Sequence, residues 1–246
     1  MKRFRWEFLL GAGLLLLSAL FFLVQIGIFH TPRDTFFYLF QDLAFVPIQV
    51  LLVTLIINHL LTIREKQALL KKMNMVIGVF FGEVGTLLLK RLYAFQPDDE
   101  TVRKRLLFKD EWTGQHFMAQ SRAFKKFNYQ LEINIELLEE LKIFLLSQRV
   151  FLLRLLENPS LLEHDSFTDL LWAVFHLTDE LACRETLTGL PANDLAHLAV
   201  DMKRALALLI SEWLVYLKHL KEDYPYLFSL EVRKNPFDPE ASAIIQ

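Results

Sequence analysis

Two histidines and three carboxylates in the last third of the chain come at spacings that can build a site. His176 and Glu180 stand four apart, as do His197 and Asp201, and Asp194 precedes His197 by three. Residues three or four apart share a helix face. Helical bundles hold metal ions with imidazole–carboxylate sets of this kind. Helical angles argue against a site here. His176 falls roughly 170° from the middle of its helix's apolar stripe, and His197 roughly 160–200° from its own, with Asp201 close beside it. These groups are expected to be solvated surface pairs that need another subunit to complete a site, so no metal and no cofactor are assigned.

Other catalytic patterns are weaker. Gly78, Gly82 and Gly85 lie within a helical pattern and follow no strand, which removes the context a phosphate-cradling loop requires. The single cysteine, Cys183, excludes an intramolecular disulfide and a cysteine-rich zinc site. No serine elbow or cysteine–histidine signature occurs. The expectation is a protein that is not an enzyme, with a metal-dependent helical-bundle enzyme as a weak alternative. With 27 basic and 29 acidic residues the net charge is −2, which gives no electrostatic footprint for nucleic acid.

A second group of polar residues sits in apolar sequence. Asp42 and Gln49 are seven apart, about 20° around a helix, Asp42 just before and Gln49 inside a run that carries no charge from Leu43 to the end of the stretch at Ile63. Ionisable groups inside a membrane are costly and often functional. Asp42 lies near the outer edge of that run, where it can cap the helix, while Gln49 can bond Gln25 or a neighbouring subunit. The sharper alternative is a ring of Asp42 and Gln49 lining an oligomeric pore. Pro47 is expected to kink this span.

Farther on, Leu69, Met73, Val76, Phe80, Val84 and Leu87 make an apolar stripe. Asn74, Gly78, Gly82 and Gly85 form a small-residue groove opposite. Three helical glycines on one face cost up to about 1 kcal/mol each, which close approach of another backbone would offset. Glu83 projects nearer the stripe and is expected to be a buried acid paired with an arginine.

The elements that position these residues are helices. The chain is 53% hydrophobic, with only eight glycines and eight prolines in 246 residues. The fold class expected is all-α: an N-terminal transmembrane hairpin (1–63) and a cytoplasmic helical bundle (64–223). The tail, 224–246, is expected to have little regular structure. Apolar runs over 8–29 and 43–63 match the roughly 20 residues that span a bilayer core, with a short external link at 30–35. Basic residues precede the first run (Lys2, Arg3, Arg5) and follow the second (Arg64, Lys66, Lys71, Lys72), with Arg33 alone in the link. By the positive-inside tendency both ends face the cytoplasm. Bundle helices are predicted over 101–108, 114–127 and 131–157, then one capped by Asp165 or Ser166, then 192–221. Helix 131–157 carries two apolar seams, one through Leu131, Leu138, Leu145 and Leu152, the other through Leu137, Leu141, Phe144, Phe151 and Leu155.

Three segments, DLAFVPIQVLLVTLIINHLL (42–61), NMVIGVFFGEVG (74–85) and YPYLFSLEVRKNPF (224–237), resemble uncharacterised bacterial two-span inner-membrane proteins of similar length. The resemblance implies a multi-pass inner-membrane setting and attaches no activity. The function expected is a membrane-anchored scaffold or regulator whose cytoplasmic domain self-associates or binds a cytoplasmic protein. Its partners are the lipid bilayer and further copies of itself. The alternative is an oligomeric channel lined by the second span.

Overall fold

The first helices are continuous because nothing in the sequence stops them. The computed structural model describes residues 2–29, 32–97, 100–108, 111–161 and 164–244, and these contain helices and no strand. Helix α1 covers Lys2–Phe29 and helix α2 Pro32–Phe80. Pro32 opens α2, where its missing N–H is no loss, and Asp34 follows in the first turn, where the helix dipole favours an acid. The link expected at 30–35 is therefore shorter, and His30 and Thr31 lie outside the described residues. The side chains of Lys2, Arg3 and Arg5 lie outside them as well.

Helix α2 continues past Ile63, as the helical stripe from Leu69 onward implies. Arg64, Glu65, Lys66 and Gln67 are all good helix formers, so the helix carries on. Pro47 sits inside it and cannot donate to the carbonyl of Leu43.

The chain divides into two units, Met1–Lys66 and Gln67–Gln246. In the first, most of the described apolar side chains face outward: Phe40, Leu51 and Ile56 are all more than half exposed. The run Arg33–Tyr93 is the one described helix long and apolar enough to cross a membrane, and the described apolar part of α1 is Leu16–Ile28.

The second unit has a conventional core. After α2 come a π-helical turn, Phe81–Gly85, then α3 (Thr86–Tyr93), α4 (Glu100–Leu106), α5 (Gly114–Lys125) and α6 (Ile135–Leu156). A 3-10 turn, Pro159–Leu161, precedes α7 (Asp165–Ala182), α8 (Ala192–Asp223) and α9 (Pro225–Arg233). Helix α8 is the axis on which α3, α5, α7 and α9 pack, while α6 packs on α7 and α3. Its Leu198, Met202, Leu206, Leu209, Trp213 and Leu217 are fully buried. Burying each such side chain contributes about 1.5–3 kcal/mol. Ser121 of α5 and Ser211 of α8 satisfy one another across the packing at 2.9 Å.

Local signals set the helix starts. Asn134 caps α6, its Oδ1 accepting from Leu137 N at 3.1 Å. Helix α7 is capped by His164, whose Nδ1 accepts from Phe167 N at 3.2 Å. Asp165 and Ser166, the expected caps, lie one and two residues inside the helix. An imidazole nitrogen can do the work of a short carboxylate or hydroxyl there because it presents a lone pair at the same reach.

Two further expectations are corrected. The tail is ordered: Pro225 starts α9 rather than only ending α8, and beyond it Phe237 inserts between Tyr93 and Trp213, with ring centroids 4.8 and 5.3 Å away. Asn235 is buried and locks this segment, donating to Leu106 O at 3.0 Å and accepting from Phe237 N at 3.0 Å. Ile245 lies outside the described residues. The apolar stripe also shifts at the π turn, because a wider turn rotates everything after it. Leu87 becomes exposed while Leu88 and Leu89 are buried.

Candidate functional site

Helices α7 and α8 are joined by a nine-residue connection, 183–191, and pack against each other. Gly189, at φ +75°, supplies the left-handed residue in that turn. Arg184 fastens it. Its Nε and Nη2 fork onto Asp194 at 2.8 and 2.6 Å, and its Nη1 donates to Glu180 Oε2 at 2.9 Å and to the Glu180 carbonyl. This guanidinium holds the carboxyls of Glu180 and Asp194 below their ordinary range, and the same bonds push the arginine upward.

The hairpin closes the two i,i+4 pairs onto one another. His176 Nε2 lies 3.3 Å from Asp201 Oδ2 and 3.8 Å from Glu180 Oε1. From the other helix, His197 Nε2 lies 3.5 Å from the same Asp201 oxygen and 3.8 Å from Glu180 Oε2. Ligand atoms of His176, Glu180 and Asp201 all fall within 4.8 Å of one another. Asp201 is only 3% exposed, and its Oδ2 is buried and accepts no hydrogen bond. Its other oxygen is held by Arg204 at 3.1 Å.

These positions correct the sequence reading. Each histidine does lie off its own helix's core stripe, but the two outward sides meet along one seam of the hairpin. Asp201 is buried rather than solvated, and a single chain brings the set together.

The other candidates are dispersed. Asp42 and Gln49 stay exposed on α2, and Gln25 is half-buried on α1. The small-residue groove is not one surface. The amide of Asn74 meets His219 Nδ1 at 3.2 Å, and Gly78 faces the Tyr216 ring, to which an added Cβ would stand at 3.5 Å. Gly82 faces open space. Gly85 is enclosed by the rings of its neighbours Phe80 and Phe81. Glu83 is exposed, because Phe81, Val84 and Gly85 take the buried side of the π turn. Gly82 lines a cleft of about 560 Å³ with Thr86, Lys90, Arg103, Lys234 and Phe237.

Sequence reasoning missed three features. Glu212 is a second buried acid of α8 besides Asp201, at 4% exposure, and Glu231 is half-buried; burial pushes the carboxyls of Glu212 and Glu231 up. Both expected seams of α6 are buried or half-buried. A further stripe on that helix, Ile143, Leu146, Val150 and Leu153, is exposed. Its 3-4-3 spacing was available as the signal of another apolar face.

Comparison with known proteins returns one family. Residues 69–233 match the C-terminal helical domain of the uncharacterised protein MJ1433, and residues 2–61 match the MJ1433 N-terminal helical domain. The chain is 46% identical over 242 residues to uncharacterised protein MJ1433 of Methanocaldococcus jannaschii, covering 98% of this chain and 96% of that one. This relative is archaeal, whereas the segment resemblance pointed to bacterial proteins. No solved structure matches.

Proposed function

This chain belongs to the MJ1433 family of helical proteins, and from that footing we propose that it is a membrane-tethered scaffold or regulator. Helix α2 crosses the lipid with α1 as its companion in a hairpin, and the second unit works by self-association or by binding a cytoplasmic protein. The observation that carries the reading is the outward apolar surface of α2 between Phe36 and Ile63, where every large hydrophobic side chain is exposed. Soluble monomers rarely display a contiguous apolar surface of that extent. A backbone closed within one helix is what a bilayer core tolerates.

The basic residues beyond Ile63 favour a cytoplasmic second unit in the cytoplasmic membrane. The exposed stripe Ile143, Leu146, Val150 and Leu153 favours a second copy as partner, because such faces pair in helical assemblies. Expression followed by an alkaline carbonate wash tests the anchor. The full-length chain is expected to stay with the lipid pellet, and its recovery in the aqueous supernatant would overturn the reading. The channel is a second reading, favoured only by the exposure of Asp42 and Gln49 on α2. An Asp42→Asn variant with altered conductance in reconstituted bilayers is its required result.

A further inference from the structure

We propose that the seam between α7 and α8 is a binding site for a divalent transition-metal ion of the Zn²⁺ class, with His176, Glu180, His197 and Asp201 as its ligands. The inference goes beyond the membrane reading and stands independently of it.

Distances separate this arrangement from ordinary ion pairing. Charge-assisted hydrogen bonds draw donor and acceptor to about 2.7–2.9 Å, and Arg184 reaches Asp194 at 2.6 and 2.8 Å within the same hairpin. The histidine–carboxylate separations are longer, at 3.3, 3.5, 3.8 and 3.8 Å. Four-coordinate Zn²⁺ bonds of about 2.0–2.2 Å place the donor atoms about 3.3–3.6 Å apart. The two contacts of Asp201 Oδ2 with the imidazoles fall in that range, and His176, Glu180 and Asp201 gather within 4.8 Å, so Glu180 closes the shell by a small side-chain shift.

The orphaned atom points the same way. A buried carboxylate oxygen without a hydrogen bond costs on the order of 1–3 kcal/mol or more. Asp201 Oδ2 is such an oxygen, and it faces both imidazoles. The outer contacts resemble those that orient metal ligands. Arg204 takes Asp201 Oδ1 and leaves Oδ2 inward, and Arg184 takes Glu180 Oε2 and leaves Oε1 toward His176.

With neutral imidazoles, Glu180, Asp194 and Asp201 against Arg184 and Arg204 leave one net negative charge, which suits a divalent cation. Two nitrogen and two carboxylate donors favour Zn²⁺, Fe²⁺ or Mn²⁺ over Ca²⁺ or Mg²⁺, which prefer oxygen alone. Four protein donors make the site a clasp across the hairpin, because a catalytic zinc keeps a position open.

The test is Co²⁺ titration of the full-length chain, purified in detergent and stripped with chelator. The visible absorption of four-coordinate Co²⁺ is expected to develop, to be abolished by Zn²⁺, and to be accompanied by a rise in the unfolding midpoint. His176→Gln, His197→Gln and Asp201→Asn should each weaken binding by about tenfold or more and remove the midpoint rise. Asp201→Asn changes a buried group and can cost folding. The half-exposed His197→Gln, checked by circular dichroism, therefore keeps the test decisive. Absence of Co²⁺ and Zn²⁺ binding by the folded wild-type chain would overturn the proposal, as would affinity unchanged in the two histidine variants.

Discussion

At the scale of single residues, the two glycines flanking Glu83 should behave oppositely. A Cβ on Gly85 would stand 2.6 Å from Phe81 Cδ1 and 2.7 Å from Phe80 Cε1. Both rings are buried and cannot swing away, so Gly85→Ala is expected to destabilise the second unit by about 1–3 kcal/mol. Gly82→Ala meets nothing within 4 Å and should be neutral or stabilising by up to about 1 kcal/mol from helix propensity. Chemical denaturation of the two variants separates them.

Glu212 supplies a pH signature. Burial raises its carboxyl above the ordinary 4.5, with Asp169 adding to the rise and Ser166, His164 and Lys125 opposing it. The folded state then holds the proton more tightly than the unfolded chain. Its contribution is fully present below pH 4.5 and is lost as pH rises through the elevated value. Glu212→Gln should therefore raise the unfolding midpoint near pH 7 by a few degrees, with the difference vanishing in acid. A pH series of thermal melts measures this.

At the scale of elements, the α7–α8 connection is held by charge. Arg184 lowers the carboxyls of Glu180 and Asp194, so the stability it lends is present above their ordinary range and fades as pH falls below it. Arg184→Ala is expected to lower the melting midpoint by about 2–4 °C at neutral pH and to matter little in strong acid.

The tail answers to packing. Phe237 is 2% exposed among Tyr93 and Trp213, and Phe237→Ala should cost about 3–5 kcal/mol by denaturant titration.

These two segments also mark where reading the sequence stopped working. The all-α class, the long α6 with its two seams and the extent of α8 were legible, since their apolar spacing lies within one helix. The coming-together of His176, Glu180, His197 and Asp201 was not legible. Each helix was judged against its own stripe, and only the pairing of α7 with α8 turns two outer sides into one seam. The π turn was invisible for a similar reason: an unbroken 3.6-residue repeat was assumed through Phe81–Gly85, which misplaced Glu83 and Leu87. The tail was misread because Pro225 ends one helix and begins the next with the same ring.

At the scale of the whole molecule, two apolar surfaces need partners, and the proposed partners differ. For the exposed apolar face of α2 the proposed partner is lipid. In the second unit, the stripe through Ile143 and Val150 is 68% and 63% exposed at those two residues. A double variant, Ile143→Glu with Val150→Glu, should lower the mass of the detergent-solubilised particle without lowering its melting midpoint. An unchanged mass would remove α6 as the contact.

Cys183 is exposed and is the one cysteine in the chain, so it reports sidedness directly. A membrane-impermeant thiol reagent should label it only after cells are opened.

The central claim is that α2 lies in hydrocarbon. It is tested most directly by single thiol-linked fluorophores at positions 46, 53 and 60 of α2 in a Cys183→Ser background, reconstituted into vesicles whose lipids carry quenchers at known depth. Strongest quenching of the position 53 probe by the mid-bilayer quencher, with positions 46 and 60 shallower, is the expected result. Equal quenching of all three by a water-soluble quencher, with none by the lipid-borne one, would contradict it.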